Sequence, residues 1–357
     1  MKKIILFFIS IILITGCYDN VELNKLSIIA GLGIDYIDNN YLITYEVYNS
    51  NKSDNTSDLI SDTITGTGET ISEAFKDANN KTNKKDFFSH LKLVILSESL
   101  INGHFKDITD YLIRDTDIRD EFYLVVANNT SPNEILKHTS KKHPVASEYI
   151  IKLISNNKYS NSLPTKEIYQ IILSKLASNK TDIVLNSISI IDNHLSLSNS
   201  YLFKGYNYNN ILSLKDSSLY TLLNSNTTGL EFKKDYNNKS FIISISNAKN
   251  NIKVDNDVIS INSKLEAKIL ENNSELNLKD TNTYNLLNND FSDLIKNDII
   301  NFIKLLQNNK TDVLGFQDNY YKANNKDNNK LWETANINVN IDLKINYKGF
   351  IYEVNYE

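Results

Sequence analysis

The chain contains a single cysteine, Cys17, which ends the sequence ITGC. An apolar residue, two small residues and a cysteine form the lipobox of bacterial signal peptides, in which the thiol accepts a diacylglycerol group. A basic start and an apolar run over residues 4–14 precede it, as in a secretory signal peptide. We therefore predict that residues 1–16 are a cleaved lipoprotein signal peptide and that Cys17 becomes a lipidated N-terminus. The alternative is an ordinary cleavage site followed by a chance cysteine.

The apolar run is too short to cross a bilayer, because a spanning helix needs about 20 apolar residues. Two or more acyl chains, in contrast, anchor a protein stably at a membrane surface. We therefore expect a covalent diacylglycerol on Cys17, with or without an N-acyl chain, and no other cofactor. Since the chain has no second cysteine, the folded part must be stabilised without disulfides.

The other reactive residue types show no spacing that is typical of a catalytic or metal site. The five histidines lack the H-E-x-x-H and cysteine-paired patterns of zinc sites, and no G-x-S-x-G elbow presents a serine nucleophile. The pairs Gly31/Gly33 and Gly66/Gly68 lack the third glycine of a nucleotide-binding loop, and we interpret both as turns. These patterns predict a protein that is not an enzyme and holds no metal.

An acidic cluster, RDTDIRDE over residues 114–121, contains the chain's only two arginines, Arg114 and Arg119. It lacks the glycine at the sixth position and the glutamate at the twelfth position of an EF-hand, so we do not expect calcium there. Arginine engages carboxylates through a planar fork. We interpret the cluster as a structural ion network within a turn, with a binding site as the alternative.

The composition is that of an ordinary globular protein, with 41% hydrophobic and 23% charged residues. The net charge of −5 argues against nucleic acid as a partner, since nucleic-acid binding requires a basic face. About 340 residues remain after the leader, which is enough for more than one domain.

The first half of the chain alternates strand and helix patterns. β-Branched and aromatic residues predict a strand over 41–49, and short apolar runs predict buried strands at 91–97 and 122–127. Helical patterns between them indicate a parallel or mixed sheet, and the polar residues 50–61 are expected to form a loop. We assign residues 17–182 to an N-terminal α/β region of one or two lobes.

From residue 183 the pattern changes to short strands with polar turns. A long helix is predicted over 283–306, where apolar residues recur at three- and four-residue spacing. A final strand is predicted over 337–347, where apolar and polar residues alternate. We assign residues 183–357 to a C-terminal α/β domain. The whole chain is predicted to be a multi-domain protein of the α/β class (α+β mixed), with mixed β-sheets flanked by helices.

Four segments resemble the Ger(x)C spore germination proteins, the C subunits of nutrient germinant receptors. Residues 16–35 are similar to the family's lipidated G-C-W-D start and following G-x-G-x-D, with Tyr18 in place of tryptophan. Residues 90–128 resemble a block with a histidine, a strand ending in Ser-Glu and an Arg-Asp turn. Residues 201–213 resemble the start of the C-terminal region, and residues 311–333 resemble its D-x-x-G-F segment and downstream tryptophan. Because the segments occur in the family's order, the resemblance covers nearly the whole chain.

The resemblance implies a lipoprotein on the outer face of the spore inner membrane, with no catalytic residues. It would act with two integral membrane subunits, A and B, in sensing small nutrients such as amino acids. The resemblance also draws attention to six polar residues, which either contact partner subunits or fix the fold: His90, Ser97, Glu98, Arg114, Asp115 and Asp120. We favour a role in fixing the fold.

The leading hypothesis is a lipid-anchored receptor component whose surfaces dock on partner subunits, with small nutrient germinants as further candidate ligands. The alternative is a lipid-anchored extracytoplasmic solute-binding protein, which would have a cleft between two similar lobes. A third hypothesis is an anchored enzyme that acts on cell wall or lipid, but no paired nucleophile and base support it.

Overall fold

A computed structural model describes residues 25–53, 56–139, 143–156, 169–178, 181–224, 229–255, 257–278, 280–326 and 331–346. The predicted signal peptide and Cys17 lie outside the described residues. Within them, the chain forms two β-sheets with helices packed against both, which confirms the predicted mixed α/β class.

Nine strands form the larger sheet: β1 (Leu26–Ile37), β2 (Asn40–Ser53), β3 (Thr56–Gly68), β4 (Lys85–Phe87), β5 (Leu93–Ser97), β6 (Tyr123–Ala127), β7 (Ile183–Ile191), β8 (His194–Lys204) and β9 (Asn207–Leu212). Their order is β3-β2-β1-β5-β6-β7-β8-β9, and β4 pairs with β1. The central strands β1, β5, β6 and β7 are parallel, whereas the outer strands pair antiparallel. The carboxyl ends of four parallel strands therefore meet at one edge of the sheet.

Helices cover both faces of this sheet: α1 (Ile71–Asn79), α2 (Glu98–Ile101), α3 (Phe105–Arg114), α4 (Pro132–Lys137), α5 (Ala146–Asn156) and α6 (Tyr169–Ser178). Every residue of β5 is buried. Leu93 and Ile95 pack with α4 and α5, while Val94 and Leu96 pack with α1, α2, α3 and α6. This division follows from the strand geometry, because successive side chains point to opposite faces of a sheet.

The interpretation of the two glycine pairs as turns is wrong. Gly31 and Gly33 lie within β1, and Gly66 and Gly68 lie within β3. A Cβ atom on Gly33 would lie 2.8 Å from the proline side chain of α4, and one on Gly66 would lie 2.2 Å from a backbone carbonyl oxygen of α1. The glycines are therefore positions where a helix approaches a strand too closely for any side chain.

The expectation of a loop over residues 50–61 is also wrong. Strands β2 and β3 pair in antiparallel register from Tyr41 and Gly68 as far as Ser53 and Thr56. Backbone hydrogen bonds between the two strands do not depend on apolar side chains. A polar sequence can therefore continue a hairpin that the preceding residues have started.

The second sheet contains β10 (Glu231–Tyr236), β11 (Lys239–Asp255), β12 (Val258–Asn272) and β13 (Asn336–Asn346), in that order. β13 is parallel to β12, and the other pairs are antiparallel. The helices of this part of the chain are α7 (Leu214–Asn224), α8 (Thr281–Asn309) and α9 (Phe316–Asn324), followed by a 3-10 helix at Leu331–Thr334.

Helix α8 contains the helix predicted over 283–306 and extends it at both ends. Its buried residues recur at three- and four-residue spacing and belong to the core beneath the second sheet: Leu287, Phe291, Ile295, Ile299, Phe302, Ile303 and Leu306. The strand predicted over 337–347 corresponds to β13, and residue 347 lies outside the described residues.

The larger sheet crosses the predicted boundary between residues 182 and 183. β7 begins at Ile183 and pairs in parallel with β6. The core of the second sheet also includes Val184, Leu202 and Leu212 from strands of the larger sheet. One continuous apolar core therefore includes residues of both sheets.

Candidate functional site

Polar side chains collect where the parallel strands end. Asp35, near the end of β1, accepts a hydrogen bond from the Ser99 hydroxyl at 3.0 Å, and the Ser99 and Ser97 hydroxyls lie 2.8 Å apart. Ser97 ends β5 and caps α2 by accepting a hydrogen bond from the Leu100 amide at 3.2 Å. This network joins the first two of the four segments that carry the resemblance.

Tyr201 connects this edge of the sheet to β8. Its hydroxyl hydrogen-bonds the Glu98 carboxylate and lies 3.0 Å from the side-chain oxygen of Asn128. Burial, and then the hydrogen bond to Glu98, raises the pKa of Tyr201, so the phenol stays protonated and can donate. The Asn128 side-chain nitrogen donates in turn to the Ser189 hydroxyl on β7 at 3.0 Å. The second and third segments of the resemblance are thus tied together.

A cleft of about 810 Å³ opens next to this network, between α2, α3 and the turn after β8 on one side and the segment from the end of α8 to the 3-10 helix on the other. Tyr208 lines the cleft, and its ring centroid lies 5.6 Å from that of Tyr201. The other lining residues come from within 101–107, 204–208 and 310–333, together with Thr181 and Asp182. Three of the four segments of the resemblance therefore meet at one cavity, although they are far apart in sequence.

Two aspartates connect the two sides of the cleft. The Asp182 carboxylate accepts hydrogen bonds from the amides of Gly205 at 2.8 Å and Asp312 at 2.7 Å, and the Asp182 amide donates to the Asp312 carbonyl at 2.8 Å. The Asp312 carboxylate accepts from the amides of Phe316 and Gln317, both at 2.8 Å. The turn between β8 and β9 is thereby attached to the start of α9.

Asp312 is buried, with only 5% of the residue exposed. Burial raises its pKa to about 7; the amides of Gln317 and Phe316 oppose this effect, and the Asp182 charge adds to it. Removing a carboxylate from water disfavours its charged form. The cleft thus contains a carboxyl group that titrates near neutral pH.

The D-x-x-G-F segment has a local structural role that sequence analysis missed. Gly315 precedes α9 in the left-handed conformation, with a φ of 71°, and Asp312 caps the first amides of that helix. An aspartate shortly before a helix is a recognisable capping signal. Asp182, the other half of this junction, carries no comparable signal, because its partner lies 130 residues away.

Two of the six polar residues singled out by the resemblance, Ser97 and Glu98, lie in the network at the carboxyl edge. His90 lies elsewhere, exposed in the turn before β5, with its ring 5.9 Å from the ring of Phe87. The structure therefore brings together part of the predicted set. The choice between partner contact and fold-fixing role stays a prediction for all six.

The remaining three, Arg114, Asp115 and Asp120, lie at and beyond the end of α3. The Arg114 Nε atom donates to Asp110 one helical turn earlier at 2.8 Å, and the Asp115 side chain accepts from the Asp117 amide at 2.9 Å. The interpretation of residues 114–121 as an ion network is wrong for Arg114, because its partner lies outside the cluster. The pair is exposed on the helix surface, where such ion pairs contribute little to stability.

Neither a metal site nor a membrane-spanning helix is present in the part of the chain that the structure describes. No group of three or more His, Cys, Asp or Glu side chains there is arranged to hold a metal ion. None of the helices described is both long and apolar enough to cross a bilayer.

Two family models match the chain in succession. The spore germination protein N-terminal domain matches residues 19–190, and the spore germination B3/GerAC-like C-terminal domain matches residues 198–349. The segments at 90–128, 201–213 and 311–333, which supply most of the cleft lining, all lie within these matches.

Curated relatives and a solved structure show the same similarity. Spore germination protein KC of Bacillus subtilis (strain 168) is 27% identical over 184 residues, which cover 49% of this chain and 45% of that protein. Spore germination protein B3 of the same organism is 27% identical over 167 residues, which cover 45% of this chain and 44% of that protein. In these matches the chain spans less than half the length of each curated relative. The crystal structure of the GerBC protein has the same fold, with a TM-score of 0.57 at 17% identity over 89% of this chain and 97% of that chain.

Proposed function

This chain belongs to the Ger(x)C family of spore germination proteins, and we propose that it is the lipid-anchored C subunit of a nutrient germinant receptor. The observation that carries the proposal is the succession of the two family models over residues 19–190 and 198–349. The fold shared with GerBC over 89% of the chain supports it.

The proposed anchor is a diacylglycerol on Cys17, at the end of the lipobox sequence. Two acyl chains hold a protein at a membrane stably. In this proposal the folded part lies on the outer face of the spore inner membrane and docks on the integral membrane subunits A and B. Confinement beside the membrane raises the effective concentration of such partners toward the mM range, so modest docking surfaces suffice.

We propose a docking role without catalysis. The acidic groups at the carboxyl edge and in the cleft already serve the fold: Glu98 binds the Tyr201 hydroxyl, and Asp182 and Asp312 accept backbone amides. Carboxylates used in this way position chain segments. The hydrogen bonds of Tyr201 with Glu98 and of Asp182 with the Asp312 amide thus connect separate segments of the folded part. In this proposal the folded part is rigid enough to transmit a displacement between partners.

The anchor is tested by replacing Cys17 with alanine in spores. We expect the Cys17→Ala protein to leave the membrane fraction and nutrient-triggered germination to slow, because the chain is no longer held beside its partners. Ser10→Ala, within the apolar run, is the matched control and should behave as wild type. Normal nutrient germination with a Cys17→Ala protein that has left the membrane would refute the tethering mechanism.

The partners are tested by copurification of the full-length chain from spore inner membrane in mild detergent. We expect the A and B subunits to copurify and to be lost when the chain carries Cys17→Ala. If neither subunit copurifies from wild-type spores under conditions that keep other membrane complexes intact, the chain is not a C subunit of such a receptor.

The solute-binding alternative predicted two similar lobes around a cleft. The observed cleft is lined on one side by α2, α3 and the turn between β8 and β9, and on the other by the end of α8, α9 and the 3-10 helix. The sheets of the two parts also differ, with nine and four strands. The two walls are therefore different folds, which favours the receptor subunit.

A further inference from the structure

We propose that the cleft described above binds a small organic anion that carries a carboxylate or phosphate group. This inference goes beyond the receptor role and does not depend on it. Three lysines, the partners of the neighbouring acids, and the size and aromatic lining of the cavity support it.

Three lysines line the cleft from three different elements. Lys106 lies in the first turn of α3, Lys204 ends β8, and Lys310 follows α8. Among the described residues, none of the three forms an ion pair with a carboxylate. In a chain with a net charge of −5, three lysines that form no ion pair among the described residues thus line one cavity.

Four acidic residues also line the cleft, and three of them have partners other than the lysines. Asp182 and Asp312 direct their carboxylates at backbone amides, as described above. Asp107 lies 3.5 Å from His104 on its own helix, and Glu333 is the remaining carboxylate of the lining. The lining thus holds four carboxyl groups besides the three lysines. Three of these carboxyl groups have partners of their own within the chain, whereas the ammonium groups are left to bind a carboxylate or phosphate as a point charge.

Lys310 occupies its position at a conformational cost. It has a φ of 51°, in the left-handed region, where it ends α8. Glycine or asparagine usually takes this position, and eight of the ten non-glycine residues with positive φ among the described residues are Asn or Asp. A lysine kept in this conformation beside a cavity indicates a use for its side chain.

The cavity has room for an organic ligand. Its volume of about 810 Å³ lies within the range of small-molecule sites, ~300–1,000 Å³. Tyr206 and Tyr208 line it and are partly exposed. Their rings offer a carbon skeleton an apolar surface, while the lysines hold its acidic group. We therefore expect a ligand larger than a bare inorganic ion.

The test is calorimetric titration of the full-length chain, purified in a neutral detergent, with citrate, inorganic phosphate and glycerol phosphate. We expect saturable binding of citrate or glycerol phosphate, weakened by added salt because surface charges are screened. The double variant Lys204→Glu/Lys310→Asn should bind at least about tenfold more weakly, which corresponds to the loss of one charged contact. Asparagine keeps the left-handed conformation at residue 310, and unfolding midpoints without ligand will verify that the variant is folded.

Lys264→Asn/Lys268→Glu, on exposed positions of β12, is the matched control and should bind as wild type. Vesicles with and without phosphatidylglycerol distinguish the source of the anion: citrate binding indicates a soluble acid, whereas binding of only glycerol phosphate and phosphatidylglycerol vesicles indicates a lipid headgroup. Either result supports the proposal if the cleft variant loses it. The proposal is overturned if no probe binds at millimolar concentration, or if the control variant loses binding as much as the cleft variant.

Discussion

The titration of Asp312 can be tested through the pH dependence of stability. Its carboxyl group is buried, and burial raises its pKa from 3.8 to about 7. Between these two values the folded chain binds more protons than the unfolded chain, so the free energy of unfolding falls as pH rises through this window. Each unit of pKa difference corresponds to 1.36 kcal/mol, and the contribution of Asp312 therefore amounts to at most about 4 kcal/mol.

The perturbation is Asp312→Asn, which keeps the shape of the side chain and removes its titration. At about pH 4 wild type carries a neutral carboxylic acid with one strong acceptor oxygen, as the amide does, so the two proteins should be similarly stable. Above about pH 7 wild type must hold a buried charge next to Asp182, and the variant should be more stable by up to about 4 kcal/mol. The stability difference between variant and wild type should thus grow with pH.

The assay is urea unfolding of both proteins at a series of pH values. Trp332, the only tryptophan in the chain, is buried with its ring centroid 5.6 Å from that of Phe316, so its fluorescence reports on this junction. Asp235→Asn, at an exposed ion pair, is the control and should change stability by less than about 1 kcal/mol at any pH. A stability difference for Asp312→Asn that stays constant with pH, or that falls as pH rises, would show that the helix-capping amides outweigh burial and would refute the reasoning.

Three further substitutions test how the larger sheet is held together, each by urea unfolding. Gly66→Ala would place a methyl group 2.2 Å from a backbone oxygen of α1 and should lower the free energy of unfolding by at least about 2 kcal/mol. Gly205 is left-handed but lies in open space, so Gly205→Ala should lower it by about 1 kcal/mol. Equal losses for the two variants would contradict the close approach of α1 to β3. Glu46→Ala should cost about 1–3 kcal/mol, because Glu46 is fully buried and accepts two amides at the start of α5 at 2.6 and 2.9 Å, which alanine leaves without an acceptor. An unchanged stability would show that these bonds are dispensable. Tyr201→Phe should cost about 1–2 kcal/mol through the unpaired polar groups that it leaves, and a more stable variant would mean that the network at the carboxyl edge is strained.

Elements with a strong local pattern could be predicted from sequence. The buried strand β5 and the long helix α8 were both expected close to where they occur, because an apolar run and an apolar periodicity are properties of neighbouring residues. The mixed α/β class followed from the alternation of such elements. The loop expected over residues 50–61 failed for the converse reason: its extended structure depends on pairing between strands, which polar composition does not reveal.

The glycines show how a local pattern can be recognised and still be misinterpreted. Gly31 and Gly66 stood out in sequence, but a glycine permits a turn or the close approach of another segment. The second reason applies here, and it became visible only once α1, α4 and α5 were placed against the sheet.

The sequence alone indicated the lipobox cysteine as a candidate anchor, the class of the fold and the family to which the chain is similar. Each of these depends on residues that are near one another in the chain or on the order of segments. Tertiary structure decided that three of those segments line one cleft, that Asp182 meets Asp312 across 130 residues, and that Lys106, Lys204 and Lys310 share a cavity. Such encounters depend on how the segment after α8 packs against α3 and the turn between β8 and β9. No local pattern encodes them, because the energy of a buried contact depends on what the fold places around each side chain.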